Sequence, residues 1–260
     1  MQAFNIIFIG TGSGKTDIKK NHSSFLIKTE SSGLLIDAGD GISKALKNHN
    51  IAYDSIDSVV ITHHHADHFT GIASLVTQMK LVKRTKPLSI FTHKNLTASV
   101  ESLLNSVYMF KEILGFDLTI AGFEFGKKVS INSIHFTAKQ NSHVLRKEIL
   151  NKYPPEIFVS SSFLFEVNGK NIIYTSDIGS KDDLYLFKGR MINCLITEST
   201  HITFEDIYEA ISQLKPKKLL ITHIDDEIEL NLEKWHGNLP ENEKDNIIIC
   251  YDGLNFEVLD

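Results

Sequence analysis

Cysteine is nearly absent from this sequence: 260 residues hold only Cys194 and Cys250. Both sit inside apolar runs, where a reduced, buried thiol is expected, so a disulfide framework and a cysteine-ligated zinc fold are excluded. No stretch approaches the roughly 18 continuous apolar residues of a membrane-spanning helix. The opening Met1-Gln2-Ala3-Phe4-Asn5, followed by Ile6-Ile7-Phe8-Ile9, has no basic leader and no small-residue cleavage site, and reads as a first strand. The expected location is the cytoplasm. An excess of positive charge is missing too: 27 Lys+Arg against 32 Asp+Glu give a formal charge of −5, which disfavours unspecific wrapping of nucleic acid. There is no low-complexity segment and no long linker, and 42% hydrophobic with 23% charged residues excludes a disordered or fibrous chain. What is plentiful is histidine, with twelve residues.

Short apolar runs alternate with stretches of helical period, the pattern of a layered α/β fold, and residues 1–260 are expected to form one such domain. Strand-like runs fall at 6–9, 25–28, 34–36, 59–61, 88–91, 163–167, 172–174, 195–196, 219–221 and 247–249. Ile72, Leu75, Val76, Met79 and Val82 recur at helical spacing, as do Phe204, Ile207, Tyr208, Ile211 and Leu214. Thr203 and Asp206 form a capping pair for the second of these helices, and Pro216 lies just past its end. Met79 and Tyr208 read as core residues. Pro154-Pro155, flanked by Arg146, Lys147 and Lys152, is the one stretch that looks like an excursion from the domain. The segment IGTGSGKT has Ile9 where a phosphate loop needs glycine and Lys15 where a dinucleotide fingerprint needs it. It reads as a glycine-rich turn that lets backbone approach backbone.

The informative feature is where the apolar runs end. Asp37 follows Leu34-Leu35-Ile36, and His63 follows Val59-Val60-Ile61-Thr62. Asp177 follows Ile172-Ile173-Tyr174-Thr175-Ser176, Glu198 follows Cys194-Leu195-Ile196-Thr197, and His223 follows Leu219-Leu220-Ile221-Thr222. In layered α/β folds the loops beyond the strand ends converge on the site, so these five tips are expected to meet. The densest piece is His63-His64-His65-Ala66-Asp67-His68. His63 and His65, two apart on an extended segment, point to one side, while His64 points away. Asp67 and His68 then enter a helical stretch. One divalent ion cannot use all four of these ligands and keep room for water, so two ions are the natural reading.

At this motif the chain resembles the metallo-β-lactamase superfamily of binuclear hydrolases, with Asp37, His143, Asp177 and His223 in the order of that family's other motifs. The resemblance implies an αββα sandwich. It implies that His63, His65 and His143 hold a first zinc, that Asp67, His68 and His223 hold a second, and that Asp177 bridges both. Asp37 would orient ligands from behind, and Glu198 is taken as a second supporting carboxylate. His143 is preferred over the nearby His135, which alternates within a strand-like Ile134-His135-Phe136; His22, His49, His93 and His236 read as surface or packing histidines. A zinc-bound water has its pKa lowered to about 7, so a bridging hydroxide is available near neutrality and the reaction class is hydrolysis. With only nitrogen and oxygen donors, zinc is favoured, manganese and iron being alternatives.

Carboxylate at 177, where lactam-cleaving members carry cysteine, argues against a β-lactamase. The stretch after His223 is too short for the helical domain of glyoxalase-type thioesterases. Phosphodiester cleavage remains, since two cations offset the negative charge of its transition state. Residues 8–14 and Asn21-His22-Ser23-Ser24 look like the opening of tRNase Z, the tRNA 3′-processing endonuclease. That family's motif histidine is here Thr197, and few residues separate His143 from Asp177, leaving little space for a tRNA-gripping arm. Among the small-substrate phosphodiesterases, which include related cyclic-nucleotide hydrolases, the cyclic-phosphate enzyme of phosphonate breakdown resembles the chain in having a histidine, here His201, after this strand and a Tyr251-Asp252-Gly253 element in the tail. His201 is the candidate general acid and, with Asp67, a candidate catalytic residue. The expected activity is therefore cleavage of a small or cyclic nucleotide-like phosphodiester. tRNA processing is the alternative, with Lys80, Lys83, Arg84 and Lys86 as phosphate contacts, and another ester or lactone hydrolase the next. A homodimer is typical of the phosphodiesterase relatives.

Overall fold

Strands that are apolar on both faces must be covered on both, and that requirement sets the architecture. The computed structural model describes residues 3–145 and 148–259. In chain order its strands are β1 (Phe4–Gly10), β2 (Ser24–Lys28), β3 (Gly33–Ile36), β4 (Ser58–Val60), β5 (Leu88–His93), β6 (Leu118–Phe123) and β7 (Lys128–Ile131). There follow β8 (Ile134–Gln140), β9 (Ser161–Val167), β10 (Lys170–Tyr174), β11 (Cys194–Glu198), β12 (Lys218–Thr222), β13 (Ile247–Ile249) and β14 (Asn255–Val258). The α-helices are α1 (Ile42–Asn48), α2 (Ala66–Phe69), α3 (Ile72–Leu81), α4 (Thr97–Ser106), α5 (Phe204–Leu214), α6 (Asp226–Gly237) and α7 (Glu241–Lys244). None is long and apolar enough, among the described residues, to cross a membrane.

The strands form two seven-stranded sheets, ordered β14-β1-β2-β3-β4-β5-β6 and β13-β12-β11-β10-β9-β8-β7. Within the first, β3 to β6 are parallel; within the second, β10 to β13 are. Alternation along each parallel strand feeds two cores. In β3, Leu34 and Ile36 pack between the sheets while Leu35 faces α1 and α3; in β11, Cys194 and Ile196 face inward while Leu195 packs under α5 and α6. The result is the αββα sandwich, and it explains why these strands read as unbroken apolar runs. β6, β7 and β14 carry no such run. They are edge strands; polar residues alternate through β7 and β14, while in β6 Thr119 and Gly122 interrupt the apolar residues and the central positions are partly exposed.

Because parallel strands end on the same side, β3, β4, β10, β11 and β12 deliver their C-terminal residues to one rim. The glycine-rich turn after β1 reaches that rim as well. A Cβ on Gly10 would lie 2.1 Å from the carbonyl oxygen of His22, so the two backbones touch there. Asp252 secures this turn, accepting from the backbone N–H and hydroxyl of Thr11 (both 2.8 Å) and from the backbone N–H (2.7 Å) and side-chain amide (2.8 Å) of Asn21. Thr203 caps α5, its hydroxyl accepting from the Asp206 N–H at 3.1 Å and donating to the Asp206 carboxylate at 2.9 Å. The segment around Pro154-Pro155 is short and pinned, with the Asn95 side-chain amide donating to the Glu156 carbonyl at 3.0 Å. Arg146 and Lys147 lie outside the described residues.

Three expectations need correction. Val82 falls beyond α3 and is 53% exposed; Tyr208 is not core but surface, its hydroxyl reaching Glu243 at 3.4 Å. Arg84 is no phosphate contact. Its side chain is buried, and its guanidinium donates to the carbonyls of Tyr53, Ile56, Lys86 and Pro87 at 2.7–2.8 Å. Four carbonyls that no strand satisfies are thus gathered by one charged fork. Arg84→Met would strip the donor from the Ile56, Lys86 and Pro87 carbonyls, leaving Tyr53 only the Ile56 N–H, and should lower unfolding free energy by on the order of 3 kcal/mol. Urea denaturation measures it, and an unchanged midpoint would contradict the role.

Candidate metal centre

Nine non-glycine residues among those described adopt positive φ, and three of them stand at strand tips on the common rim: Asp37 (61°), Ser176 (56°) and His223 (52°). Left-handed backbone costs a non-glycine residue energy, and it clusters where a side chain must be aimed. Here the turns redirect each chain from the strand axis into the space between the sheet ends.

Two groups of donor atoms that share Asp177 meet there, each drawn together within 4.8 Å: His63, His65, His143 and Asp177, and Asp67, His68, Asp177 and His223; a third set, Glu198, His201 and His223, adjoins them. In the first, His63 Nε2 lies 3.0 Å and His143 Nε2 3.1 Å from His65 Nδ1. A ring nitrogen has either one proton or one lone pair, so protons cannot satisfy three nitrogens that face one point. A cation can. Ligands about 2.0–2.1 Å from a tetrahedral zinc are about 3.3–3.4 Å apart, close to the spacing found. In the second group Asp177 Oδ2 lies 3.4 Å from His68 Nε2 and 3.2 Å from His223 Nε2, and Asp67 Oδ2 lies 3.2 and 3.4 Å from the same two nitrogens. Asp177 Oδ2 is also 3.6 Å from His143 Nε2, so one carboxylate faces both groups. Asp177 Oδ1 and His68 Nε2 are buried without a hydrogen bond, which a polar protein interior does not tolerate unless something else occupies the gap. These donors fit divalent metal ions. His65 and Asp67 are the solvent-facing members; the others are buried.

Three of these histidines are aimed from behind. Asp37 accepts from His68 Nδ1 at 2.8 Å, fixing the ring so that Nε2 faces Asp177. Asp37 also accepts from the Thr62 hydroxyl (3.0 Å) and backbone N–H (2.8 Å), and Thr62 Oγ1 in turn sits 2.9 Å from His63 Nδ1. Thr200 does the same for His223, with its hydroxyl 3.3 Å from Nδ1 and donating to the His223 carbonyl at 2.6 Å. Sequence reasoning assigned no role to Thr62 or Thr200; the clue was a hydroxyl directly before a histidine at a strand tip, or two positions after a tip carboxylate.

Glu198 does not join either group. Its buried carboxylate accepts from the Ile178, Thr200 and His201 N–H groups and from His201 Nδ1 at 2.7–3.0 Å. The His201 ring is thereby set 4.8 Å from that of His143 and 5.8 Å from that of His223. His64 points away and stacks on Phe69 at 3.9 Å. His135 on β8 bonds Ser130 opposite it on β7, His22 bonds the Ser13 carbonyl, and His236 bonds the Ile247 carbonyl. His93 stacks on Phe125, and His49 lies against Gly253.

Charge follows placement. Burial opposes ionisation of Asp177, but His223 and His68 outweigh it and hold the carboxyl well below its usual range. Burial likewise opposes charging His68, yet Asp177 and Asp37 push that imidazole well above the ordinary histidine value. His223 is raised against burial by Asp177 and Asp67. Without a cation, protons on these rings supply the positive charge that the buried carboxylates require.

Residues 4–239 match the family model described as anti-Pycsar protein Apyc1. Ribonuclease Z of Pyrococcus abyssi (strain GE5 / Orsay) is 27% identical over 237 residues, covering 77% of this chain and 76% of that one. The metallo-beta-lactamase fold protein YhfI from Bacillus subtilis superposes with a TM-score of 0.75 at 18% identity, over 99% of this chain and 100% of that chain. A diphosphatase of the PhnP family superposes with a TM-score of 0.70 at 18% identity, over 98% and 97% of the two chains.

Since the protons on His68 Nε2 and His223 must leave when a cation arrives, uptake should release protons and weaken as pH falls, by about tenfold per pH unit for each proton displaced. Zinc titration of chelator-stripped protein against a competing chelator, repeated between pH 6 and 8, measures this; a pH-independent affinity would contradict it.

Proposed function

The chain belongs to the anti-Pycsar protein Apyc1 family and is a metal-dependent hydrolase of the metallo-β-lactamase fold, and from this we propose that it cleaves a small or cyclic nucleotide-like phosphodiester. In this reading His63, His65 and His143 hold one ion, Asp67, His68 and His223 hold the other, and Asp177 lies between them. Zinc suits the nitrogen and oxygen donors best. When bound, the ions supply a water made acidic near neutrality and positive charge opposite the phosphoryl oxygens. Two free, buried cysteines accord with a cytoplasmic setting.

The observation that carries the proposal is His201. Its hydrogen bond to Glu198 raises the pKa of the imidazole above the ordinary histidine value, against partial burial. The ring therefore holds its proton more firmly than a free imidazole and sits beside both donor groups, on the solvent-facing side. A phosphodiester that breaks leaves an alkoxide, and this is the group placed to protonate it, a contribution worth about 10²–10⁴ in rate. Asp37, Thr62 and Thr200 keep the surrounding imidazoles in register, so that substrate meets a prearranged site.

The second reading, tRNA 3′-end processing, draws on the likeness to Ribonuclease Z. Thr197 in place of that family's motif histidine speaks against it. So does the short segment beyond His143, which is tied down at Glu156.

Metal-reconstituted protein should hydrolyse bis-p-nitrophenyl phosphate and at least some cyclic nucleotides. Turnover of a lactone or thioester with no phosphodiester touched would defeat the proposal, and accurate cleavage of precursor tRNA would promote the second reading. His201→Ala should keep its metal yet slow poor alkoxide leaving groups about 10²-fold or more, while sparing nitrophenolate, which departs unprotonated. Equal losses on both substrates would remove the acid role.

A further inference from the structure

His63, His68 and His223 each have a side chain behind the ring that fixes its direction. His143 has none: among the described residues, its only ring hydrogen bond is Nε2 to His65 within the donor group. It also follows no parallel strand tip directly, coming three residues after β8 ends at Gln140. Something other than a ring partner must hold it.

The backbone on either side of it supplies the answer. Ser142 donates its N–H to both carboxylate oxygens of Asp183, at 3.1 and 3.2 Å, and its hydroxyl to Oδ2 at 2.7 Å. The same Oδ2 accepts from the N–H groups of Gly179 (3.0 Å) and Ser180 (3.3 Å). Asp183 is buried, and no Lys, Arg or His among the described residues pairs with it; among them these N–H and hydroxyl donors meet its carboxylate. One carboxylate thus ties the residue before His143 to the loop two residues after Asp177. Asn141 adds a parallel tie. Its amide donates to the Asp177 carbonyl at 3.0 Å and to the Thr175 carbonyl at 3.2 Å, and its oxygen accepts from the His143 N–H at 3.2 Å. The loops meet so closely that a Cβ on Gly179 would lie 2.5 Å from the Ser142 carbonyl oxygen.

We propose that Asp183 is a positioning residue: its buried carboxylate clamps the His143 loop to the Asp177 loop and so sets where the third imidazole of the first donor group stands relative to the shared carboxylate. The consequence for metal rests on the binuclear reading above; the clamp itself does not. Asp183→Asn keeps the shape but replaces one acceptor oxygen by a donor that faces N–H groups, so the two loops part. Gly179→Ala parts them by a different route, and Ser142→Ala removes only one bond, a milder change that leaves the fold secure.

Amide hydrogen exchange on the metal-free protein reads the clamp directly. In Asp183→Asn the amides of Ser142, His143 and Gly179 should exchange at least tenfold faster, while those of β10 to β12 stay as in the wild type. Unchanged protection at these amides would overturn the proposal whatever the metal content. In metal-loaded protein, Asp183→Asn and Gly179→Ala should each weaken one of two bound ions by about 10–100-fold, alter the cobalt absorption spectrum, and lower kcat with KM within twofold. Ser142→Ala should fall between them and the wild type. Wild-type affinity and an unaltered cobalt spectrum in both stronger variants would reduce Asp183 to a local turn cap and refute its role. A wild-type protein that takes up no metal would instead refute the binuclear reading, leaving the exchange result to judge the clamp.

Discussion

A carboxylate buried among imidazoles must be matched by positive charge, and the rest of the site follows from how that need is met at Asp177. Its side chain is 3% exposed, one oxygen lies 3.2–3.6 Å from three histidine nitrogens, and the other has no hydrogen bond at all. Protons can answer part of this demand, and in their absence from other sources His68 and His223 carry them. They cannot answer all of it, because three nitrogens converge in the first group and each can share only one proton. Divalent cations satisfy every donor together. A structural salt-bridge cluster would instead have paired each acceptor with its own donor, as Arg84 does with its four carbonyls.

The sandwich makes such a cluster sustainable. Parallel strands buried on both faces are rigid, and their ends fix where each loop begins. Asp37, Ser176 and His223 then turn through left-handed backbone, at about 1–3 kcal/mol each, which the local hydrogen bonds offset. Asp37 receives three such bonds, from Thr62 and His68. The same carboxylate therefore relieves its own strain and orients two histidines, one directly and one through Thr62.

Much of this could be read from residues alone, for a physical reason. Strands covered on both faces are continuous apolar runs, and a charged residue immediately after such a run is conspicuous, so Asp37, His63, Asp177, Glu198 and His223 stood out before any coordinates. The 63–68 motif carried its own spacing. Edge strands β7 and β14 did not stand out because half their surface meets water and polar residues alternate through them, and β6 did not because Thr119 and Gly122 interrupt its apolar residues. Arg84 looked like a surface cation within a basic stretch, since nothing local reveals that four carbonyls surround it. Thr62, Thr200, Asn141 and Asp183 were illegible for a related reason: their partners are backbone groups and side chains of other loops, brought near only by the fold. Tyr208 shared a helical stripe with core residues yet lies at its margin.

The central claim is that Asp177 stands between two cations held by the two histidine groups. Metal-edge X-ray absorption on reconstituted protein, with elemental analysis of the same sample, tests it most directly. Two ions per chain, a shell of nitrogen and oxygen neighbours, and a metal–metal distance of about 3.5–4 Å that is lost in Asp177→Asn are expected. One ion per chain with no metal neighbour, or sulfur in the shell, would contradict it.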